Sequence, residues 1–176
     1  MRQLDEVDDA NSLKYNIFTM LKSSCFLPVD TEKHMRAALA LAAQSAAEGE
    51  VPIGCVITNA EGTVIGSGRN KREKARNAIA HAEIEAIADA CKTIGDWRLS
   101  GCSLYVTLEP CPMCAGAVIM SRISRVFYGA RENTTGSCGS VLNLFMENYG
   151  HNVQVRGGIL EDECSELLKS FFLQVR

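Results

Sequence analysis

The sequence predicts an α/β domain in which helices pack on a mixed central sheet of about five strands. Two β-rich runs, 53–58 and 63–67, are joined by a turn-forming segment and are typical of an antiparallel hairpin. Further along, the runs 103–108 and 125–128 flank a helix-like run at 111–121, which is the pattern of a βαβ unit with parallel strands. A sheet that contains both arrangements is mixed.

The first predicted element is a helix that begins near Asp30 or Thr31, since either residue can cap it. Apolar side chains recur at three- and four-residue spacing through the Ala-rich segment that follows, and Gly49 marks the end of the helix. After the hairpin, a polar and basic loop at 70–77 leads into a second helix over 80–94. These two helices, with the hairpin and the loop between them, precede the βαβ unit.

The last part of the domain is predicted from weaker patterns. A connection rich in Gly, Ser and Thr at 129–140 follows the βαβ unit. The pattern then predicts a short apolar helix around 141–146, a strand at 153–156 and a closing helix at 161–173. The strand at 153–156 brings the predicted total to five.

Length and composition exclude several classes of protein. At 176 residues and 47% hydrophobic, the chain has the length of one domain with a buried core, expected over 30–176. Residues 1–29 are expected to be an N-terminal extension, either disordered or carrying an amphipathic helix over 14–27. No apolar run reaches the roughly 18 residues that a membrane span requires, so no membrane association is expected. The acidic start is unlike a leader peptide, and scattered cysteines favour the cytoplasm over a disulfide framework.

The net charge of −3 lacks the basic balance that is common in nucleic-acid-binding domains. Any contact with RNA would therefore depend on a local basic patch. Two patches are candidates, one formed by Lys71, Arg72, Lys74 and Arg76 and the other by Arg122, Arg125 and Arg131. Sequence alone favours the interpretation that each is a solvated surface.

Two short motifs carry the side chains of a zinc site. His81 stands at the start of the helix over 80–94. Cys111 and Cys114 are one turn apart at the start of the βαβ helix, so both thiols project from one face. Cysteines in a first turn also experience the positive end of the helix dipole, which favours the thiolate form that metals bind. Three such ligands leave one tetrahedral position for water, as in a catalytic zinc site.

Glu83 follows His81 by two residues, a spacing that does not place both side chains on one helical face. It is therefore a candidate acid/base and not a fourth ligand. Taken alone, the CxxC could instead be a thioredoxin-like redox pair or two buried core residues, and an HAE triplet is common at helix starts. Together, the motifs match the H-x-E…P-C-x-x-C signature of zinc-dependent nucleobase deaminases.

With these motifs, the chain resembles the cytidine and nucleotide deaminase superfamily and, within it, the bacterial tRNA adenosine deaminases. The likeness extends from about Thr31 to Phe172. Besides the zinc motifs, several segments match in family order. They are Glu50-Val51-Pro52-Ile53-Gly54, Gly68-Arg69-Asn70, 104–110, Ser121-Arg122-Ile123, Gly129-Ala130-Arg131 and Gly158-Ile159-Leu160.

The resemblance implies hydrolytic deamination of adenosine to inosine at the wobble position of a tRNA anticodon stem-loop. It also implies a three-layer α/β/α fold and a homodimer with one zinc per subunit. The zinc would be held by His81, Cys111 and Cys114 and would activate a water molecule. Glu83 would move protons between that water, N1 of the purine and the departing ammonia.

The resemblance also implies a set of substrate contacts. Asn70 is similar to the family's base-contacting Asn, although a turn residue after a strand is the alternative. Val51, Pro52 and Leu108 would form the walls of the pocket. Glu132 would touch the nucleotide backbone, and it stands where the family has the shorter Asp.

Several other residues have plain structural interpretations. Phe171 and Phe172 could stack on RNA bases but are expected to be core residues of the closing helix. Cys138 is expected to be a free core thiol. His34 and His151 have no partners at ligand spacing and are not expected to bind metal.

Two other functions remain open. A deaminase of free guanine or cytosine would share the zinc core. A non-catalytic zinc-stabilised partner subunit is disfavoured, because it would have no use for the Glu83 carboxyl. The likeness through the C-terminal helix favours the tRNA substrate.

Overall fold

The computed structural model of the chain describes residues 30–175. Within that range the chain forms five α-helices and a five-stranded sheet. The helices are α1 (Thr31–Ala47), α2 (Arg72–Ala75), α3 (Ala82–Ile94), α4 (Pro112–Met120) and α5 (Glu161–Gln174). The strands are β1 (Gly54–Thr58), β2 (Val64–Arg69), β3 (Ser103–Leu108), β4 (Arg125–Ala130) and β5 (Gln154–Arg156).

The sheet has the order β2-β1-β3-β4-β5. Strand β1 pairs antiparallel with both β2 and β3, whereas β3, β4 and β5 are parallel to one another. The predicted hairpin, the βαβ unit and the mixed sheet are therefore confirmed. Leu108 pairs with Ala130 at the carboxyl ends of β3 and β4, so the loops that follow these two strands emerge at the same edge of the sheet.

Alternation along the strands divides the core into two halves. Val56, Tyr105 and Phe127 face α1 and α5, whereas Ile57 and Val106 face α3 and α4. Because successive residues of a strand point to opposite faces, each strand contributes to both halves. The sheet is thus the middle layer of three, which confirms the α/β/α fold.

Two glycines on β2 allow α3 to lie close to the sheet. A Cβ built on Gly68 would overlap the backbone of Ala82 and Ala86, and one on Gly66 would overlap that of Ala86 and Ala90. All three alanines are fully buried. This close approach fixes the height of α3 above the sheet, and so the position of the residues at its amino end.

The ends of α1 follow the predicted signals. The Asp30 carboxylate accepts a hydrogen bond from the Lys33 N–H at 3.0 Å, which satisfies one free donor of the first turn. Gly49 adopts a φ of 79° after the last turn. At the other end of the chain, the helix predicted around 141–146 is wrong in extent, because only the 3₁₀ turn Leu144–Met146 forms, and Asn143 caps it through a bond to the Phe145 N–H.

The predicted N-terminal extension, residues 1–29, lies outside the described residues. Among residues 30–175, no helix combines the length and the apolar character needed to cross a membrane.

Candidate active site

Three potential metal ligands meet where α3 and α4 begin. His81 is the residue before α3, and Cys111 is the residue before α4. Their carbonyls accept the first helical hydrogen bonds, from Glu85 and Ala115, while their side chains make no capping bond. His81 Nδ1 lies 3.8 Å from Cys111 Sγ and 3.6 Å from Cys114 Sγ. The side chains of His81 and Cys111 are therefore not used in capping, and together with Cys114 they can bind one metal ion.

The spacing of these atoms fits a tetrahedral zinc ion. Ligand bonds near 2.0 Å to nitrogen and 2.3 Å to sulfur at a tetrahedral angle place N and S about 3.5 Å apart. The observed 3.6 and 3.8 Å agree with that value, and the three ligand atoms all lie within 4.8 Å of one another. One nitrogen and two sulfurs form a donor set that zinc prefers, and three protein ligands leave a fourth position open.

The two thiols differ strongly in acidity. A hydrogen bond from Cys114, supported by one from His81, lowers the pKa of Cys111 to about 4. The same hydrogen bond, together with burial, raises the pKa of Cys114. A metal ion binds thiolates, so a cation held between Cys111 and Cys114 would displace their protons.

Glu83 lies in the first turn of α3, and only 4% of the residue is exposed. Burial raises the pKa of its carboxyl, and the nearby Cys111 raises it further. A general acid/base works best when its pKa is close to the working pH, so burial moves this carboxyl in the useful direction. Glu83 lines the same cavity as His81 and Cys111.

That cavity has a volume of about 320 Å³ and opens to solvent. Four of the five residues expected to contact the substrate line it: Val51, Asn70, Leu108 and Glu132. The fifth, Pro52, is buried and is not among the lining residues, whereas Val51 and Ile53 on either side of it are. Its role as a wall of the pocket stays a prediction.

Sequence reasoning missed the role of Glu50 in holding Asn70. Asn70 is 5% exposed, and its Nδ2 donates to Glu50 Oε2 at 3.2 Å. Glu50 is 1% exposed and also accepts from the backbone N–H groups of Glu73 and Lys74. A carboxyl without a charged partner in such a burial state must be satisfied by hydrogen bonds, and these three donors provide them. The available signal was Glu50 itself, a charged residue beside the pocket-forming Val51.

Glu109 organises the loop that closes one side of the cavity. Its carboxylate accepts from the backbone N–H groups of Glu132, Cys138 and Ser140 and from the Ser140 hydroxyl. Burial by itself raises the pKa of Glu109, but the hydrogen bonds from Ser140 and the backbone outweigh it, and the pKa is lowered. This agrees with a structural role for Glu109. The Glu132 carboxylate turns back to accept from the Thr134 N–H at 2.7 Å.

The first basic patch is largely neutralised by neighbouring acids. Lys71 pairs with Glu85 and Lys74 with Glu48, each at 3.0 Å. Arg72 lies 3.6 Å from the exposed Glu73 carboxylate, is itself exposed and lines the cavity. It is thus the cation of this patch that borders the candidate site.

The residues of the second basic patch do not lie together, because Arg125 and Arg131 stand at opposite ends of β4. Arg125 begins β4 and donates to the Gly101 carbonyl, whereas Arg131 follows the other end of the strand. Six residues of strand separate the two by roughly 20 Å. Arg131 is exposed and lines the cavity, so it and Arg72 both border the opening.

The expectation that Phe172 belongs to the core is wrong. It is 51% exposed and lines the cavity, with Phe171 packed against it edge to face at 5.5 Å. The face of α5 that carries Cys164 and Leu168 packs on the sheet, but Leu168 and Phe172 also border the cavity. The last turn of α5 therefore reaches the mouth of the site.

The remaining singled-out residues have structural surroundings. His34 is buried and lies 4.9 Å from the Tyr105 ring, and His151 Nε2 is 2.7 Å from the Ile123 carbonyl. Cys138 is half-buried against the core on the α3 side of the sheet.

Comparison with known proteins agrees with a zinc-binding deaminase site. The family model described as the cytidine and deoxycytidylate deaminase zinc-binding region matches residues 28–130. A tRNA-specific adenosine deaminase from Bacillus subtilis is 45% identical over 146 residues, which cover 82% of this chain and 90% of that protein.

Two solved structures extend the similarity. One, from work on A-to-I editing by tRNA deaminases at the wobble position of transfer RNA, is 39% identical, with a TM-score of 0.74 and coverage of 77% of this chain and 99% of that one. The other is a guanine deaminase from Nitrosomonas europaea, 26% identical, with a TM-score of 0.71 and coverage of 80% and 83%.

Proposed function

The chain belongs to the zinc-dependent cytidine and deoxycytidylate deaminase family, and on that premise we propose that it converts adenosine to inosine at the wobble position of a tRNA anticodon. One observation carries the proposal: the buried Glu83 carboxyl shares an open cavity with a His-Cys-Cys ligand set. The 45% identity to a tRNA-specific adenosine deaminase supports the choice of substrate.

His81, Cys111 and Cys114 would hold the zinc. A zinc ion bound there supplies Lewis acidity that makes a water molecule nucleophilic near neutral pH. Cys111 also precedes the first turn of α4, where backbone N–H groups have no helical partners and favour developing negative charge.

Glu83 would carry the protons. Its carboxylate accepts a proton from the attacking water, and the carboxylic acid delivers that proton to N1 of the adenine ring as oxygen bonds to C6. The carboxylate then takes the proton of the new C6 hydroxyl and delivers it to the amino group as the C6–N bond breaks, so ammonia leaves and inosine, with a carbonyl at C6, remains. The raised pKa of the buried carboxyl favours the protonated form that this donation needs.

The surrounding residues would orient the base. Asn70 would contact a polar edge of the purine, and Val51 and Leu108 would pack against the faces of the ring. Glu132 would lie beside the nucleotide backbone. The Glu132 carboxylate accepts a hydrogen bond from the Thr134 N–H of the same loop, which holds the side chain in place. The longer side chain can therefore take the place of the family's Asp.

The rim of the cavity favours a polynucleotide over a free base. Arg72 and Arg131 border the opening and can meet phosphates of flanking nucleotides, and exposed Phe172 offers a surface on which a flanking base can stack. A free base would need none of these groups. An anticodon loop presents its bases unpaired, so extrusion of the target adenine costs little.

We also propose that the enzyme is a cytoplasmic homodimer. Helix α4 is apolar on every side, and its Met120 is 70% exposed. Nearby Tyr149 is 51% exposed and shares a surface groove with Pro112 and Met120. Exposed apolar surface of this kind is typical of a subunit interface. Sedimentation at several protein concentrations would measure the assembly.

The substrate is tested by offering the candidates side by side. The zinc-loaded chain is incubated with an anticodon stem-loop that carries adenosine at the wobble position, and separately with free adenine, guanine and cytosine. We expect inosine at the wobble position only, detected by mass spectrometry of the digested RNA. Turnover of a free base without turnover of the stem-loop would overturn the tRNA assignment and favour the guanine deaminase alternative.

A further inference from the structure

Glu50 lies in the segment between α1 and β1, and its carboxylate is almost completely removed from solvent. Three hydrogen bonds reach it, and all come from the segment that follows β2. The backbone N–H groups of Glu73 and Lys74 donate at 3.2 and 2.7 Å, and Asn70 Nδ2 donates at 3.2 Å. One carboxylate thus joins the start of α2 to a side chain of the cavity wall.

The chemistry of this contact fixes the orientation of the Asn70 amide. A carboxylate that receives donors can only accept, whereas an Asn side chain has one donating and one accepting end. Glu50 therefore admits the NH₂ end of Asn70 and excludes the reversed orientation. The other end, Oδ1, makes no hydrogen bond to any residue between 30 and 175. Because Asn70 lines the cavity, Oδ1 is the acceptor that it can offer to a ligand.

The backbone at Asn70 is held as firmly as the side chain. Its N–H donates to the Ile53 carbonyl at 2.9 Å, and its carbonyl accepts from the Ser45 hydroxyl at 2.8 Å. The amide cannot rotate without leaving a buried group unsatisfied. Asn70 is therefore oriented before a substrate arrives, so that binding does not have to order it.

We propose that Glu50 is a positioning residue of the deaminase: it locks the side-chain amide of Asn70 so that Oδ1 accepts a hydrogen bond from an N–H or O–H of the bound nucleoside. This rests on the proposed function. Glu50 also borders the cavity, but its carboxylate is engaged by three hydrogen bonds within the protein, so its effect on the substrate passes through Asn70.

Glu50 also holds the start of α2, so its loss could lower activity simply by loosening this segment. A control that loosens the same segment without touching the Asn70 amide is therefore needed. Lys71, the residue before α2, supplies no side-chain cap, and Glu50 binds the free N–H groups in its place. Glu48 provides the matched control. It holds the same segment through ion pairs with Arg69 at 2.6 Å and Lys74 at 3.0 Å, and it makes no hydrogen bond to Asn70.

The test compares Glu50→Gln, Glu48→Gln, Asn70→Ala and the double variant Glu50→Gln/Asn70→Ala. Gln at position 50 has nearly the same shape but can present either end to Asn70. We expect kcat/KM on the anticodon stem-loop to fall roughly ten- to a hundredfold, as for other residues that orient a ligand-binding group. Zinc content should not change, and Glu48→Gln should stay within about twofold of wild type.

Non-additivity separates positioning from scaffolding. If Glu50 acts through Asn70, the double variant should be no slower than Asn70→Ala alone. Asn70→Ala already removes the amide that Glu50 orients, so Glu50→Gln has nothing further to disturb. If the two losses add, or if Glu48→Gln is as damaging as Glu50→Gln, Glu50 merely holds the loop and the proposal is overturned.

The side-chain amide signals of Asn70 distinguish this proposal from the proposed function. They are assigned in the ¹⁵N-labelled full chain by their loss in Asn70→Ala. In wild type we expect two well-separated amide protons that exchange slowly with solvent, and in Glu50→Gln a shift toward the values of free Asn. If the stem-loop is not deaminated by wild type, the proposed function fails while this comparison still decides positioning. Unchanged Asn70 signals in Glu50→Gln overturn positioning whatever the activity.

Discussion

His81 Nδ1 lies 3.6 Å from Cys114 Sγ, although the two residues belong to the starts of different helices. His81 precedes α3, and Cys114 lies in the first turn of α4. The packing of these two helices on one face of the sheet therefore forms the ligand set. Neither helix could hold a metal ion alone, since each contributes only one or two ligands.

The first prediction concerns metal content. Purified wild type should carry about one zinc per chain, and Cys114→Ser should lose it because a hydroxyl does not replace the thiolate. Mass spectrometry of metals after dialysis against a weak chelator measures this. Cys91→Ser is the control, since Cys91 lies outside the ligand set, and it should keep its zinc. Retention of one zinc by Cys114→Ser would contradict the assignment.

The second prediction concerns the loop that Glu109 holds. Glu109→Gln turns one accepting oxygen into a donor that faces N–H groups, so the free energy of unfolding should fall by about 2 kcal/mol. Denaturant unfolding with saturating zinc measures it. Glu147→Gln, an exposed change further along the same connection, should be close to neutral. Equal stability of the two variants would show that the Glu109 contacts contribute little.

The third prediction concerns pH. Hydrogen bonds from Arg69 and then Lys74 lower the pKa of Glu48 to about 2. Because a folded-state pKa below the unfolded value of about 4.3 favours the charged form, Glu48 stabilises the fold above about pH 5 and loses this effect as pH falls. Wild type should therefore be more stable than Glu48→Gln at neutral pH, and the difference should shrink toward about pH 3. Denaturation midpoints across pH measure it; a difference independent of pH would contradict it.

The fourth prediction concerns the rim. Arg131→Gln should weaken binding of the stem-loop and reduce the slope of log affinity against log salt by about 0.7, the loss of one phosphate contact to single-stranded RNA. Fluorescence anisotropy at several salt concentrations measures the slope. Arg98→Gln is the matched control, because Arg98 stacks on Trp97 and does not line the cavity. If both variants keep the wild-type slope, Arg131 makes no phosphate contact.

The parts of the site that depend on local signals could be predicted from sequence. The ligand set combines an HAE and a PCxxC motif, each at a helix start, and β3 and α4 lie within one residue of their predicted bounds. Period-2 patterns and helix-start signals act over a few residues, so the sequence displays them directly.

Contacts between distant segments could not be predicted in the same way. The bond between Glu50 and Asn70 spans 20 residues and depends on how the segment after β2 folds back toward α1. Phe172 has the amphipathic spacing of a core residue, but whether the sheet still lies beneath the last turn of α5 is decided by tertiary packing. The same holds for the segment around Pro52, since only the folded backbone shows that Val51 and Ile53 line the cavity.

The most direct test is the Glu83→Gln variant with its zinc measured in the same sample. Deamination of the wobble adenosine should fall by about a hundredfold to ten-thousandfold, because the amide cannot carry the protons, while the zinc content stays near one per chain. Glu85→Gln, two residues further along α3 and paired with Lys71, should keep its activity. A Glu83→Gln enzyme that holds zinc and deaminates the stem-loop at the wild-type rate would contradict the assignment of Glu83 as the proton carrier.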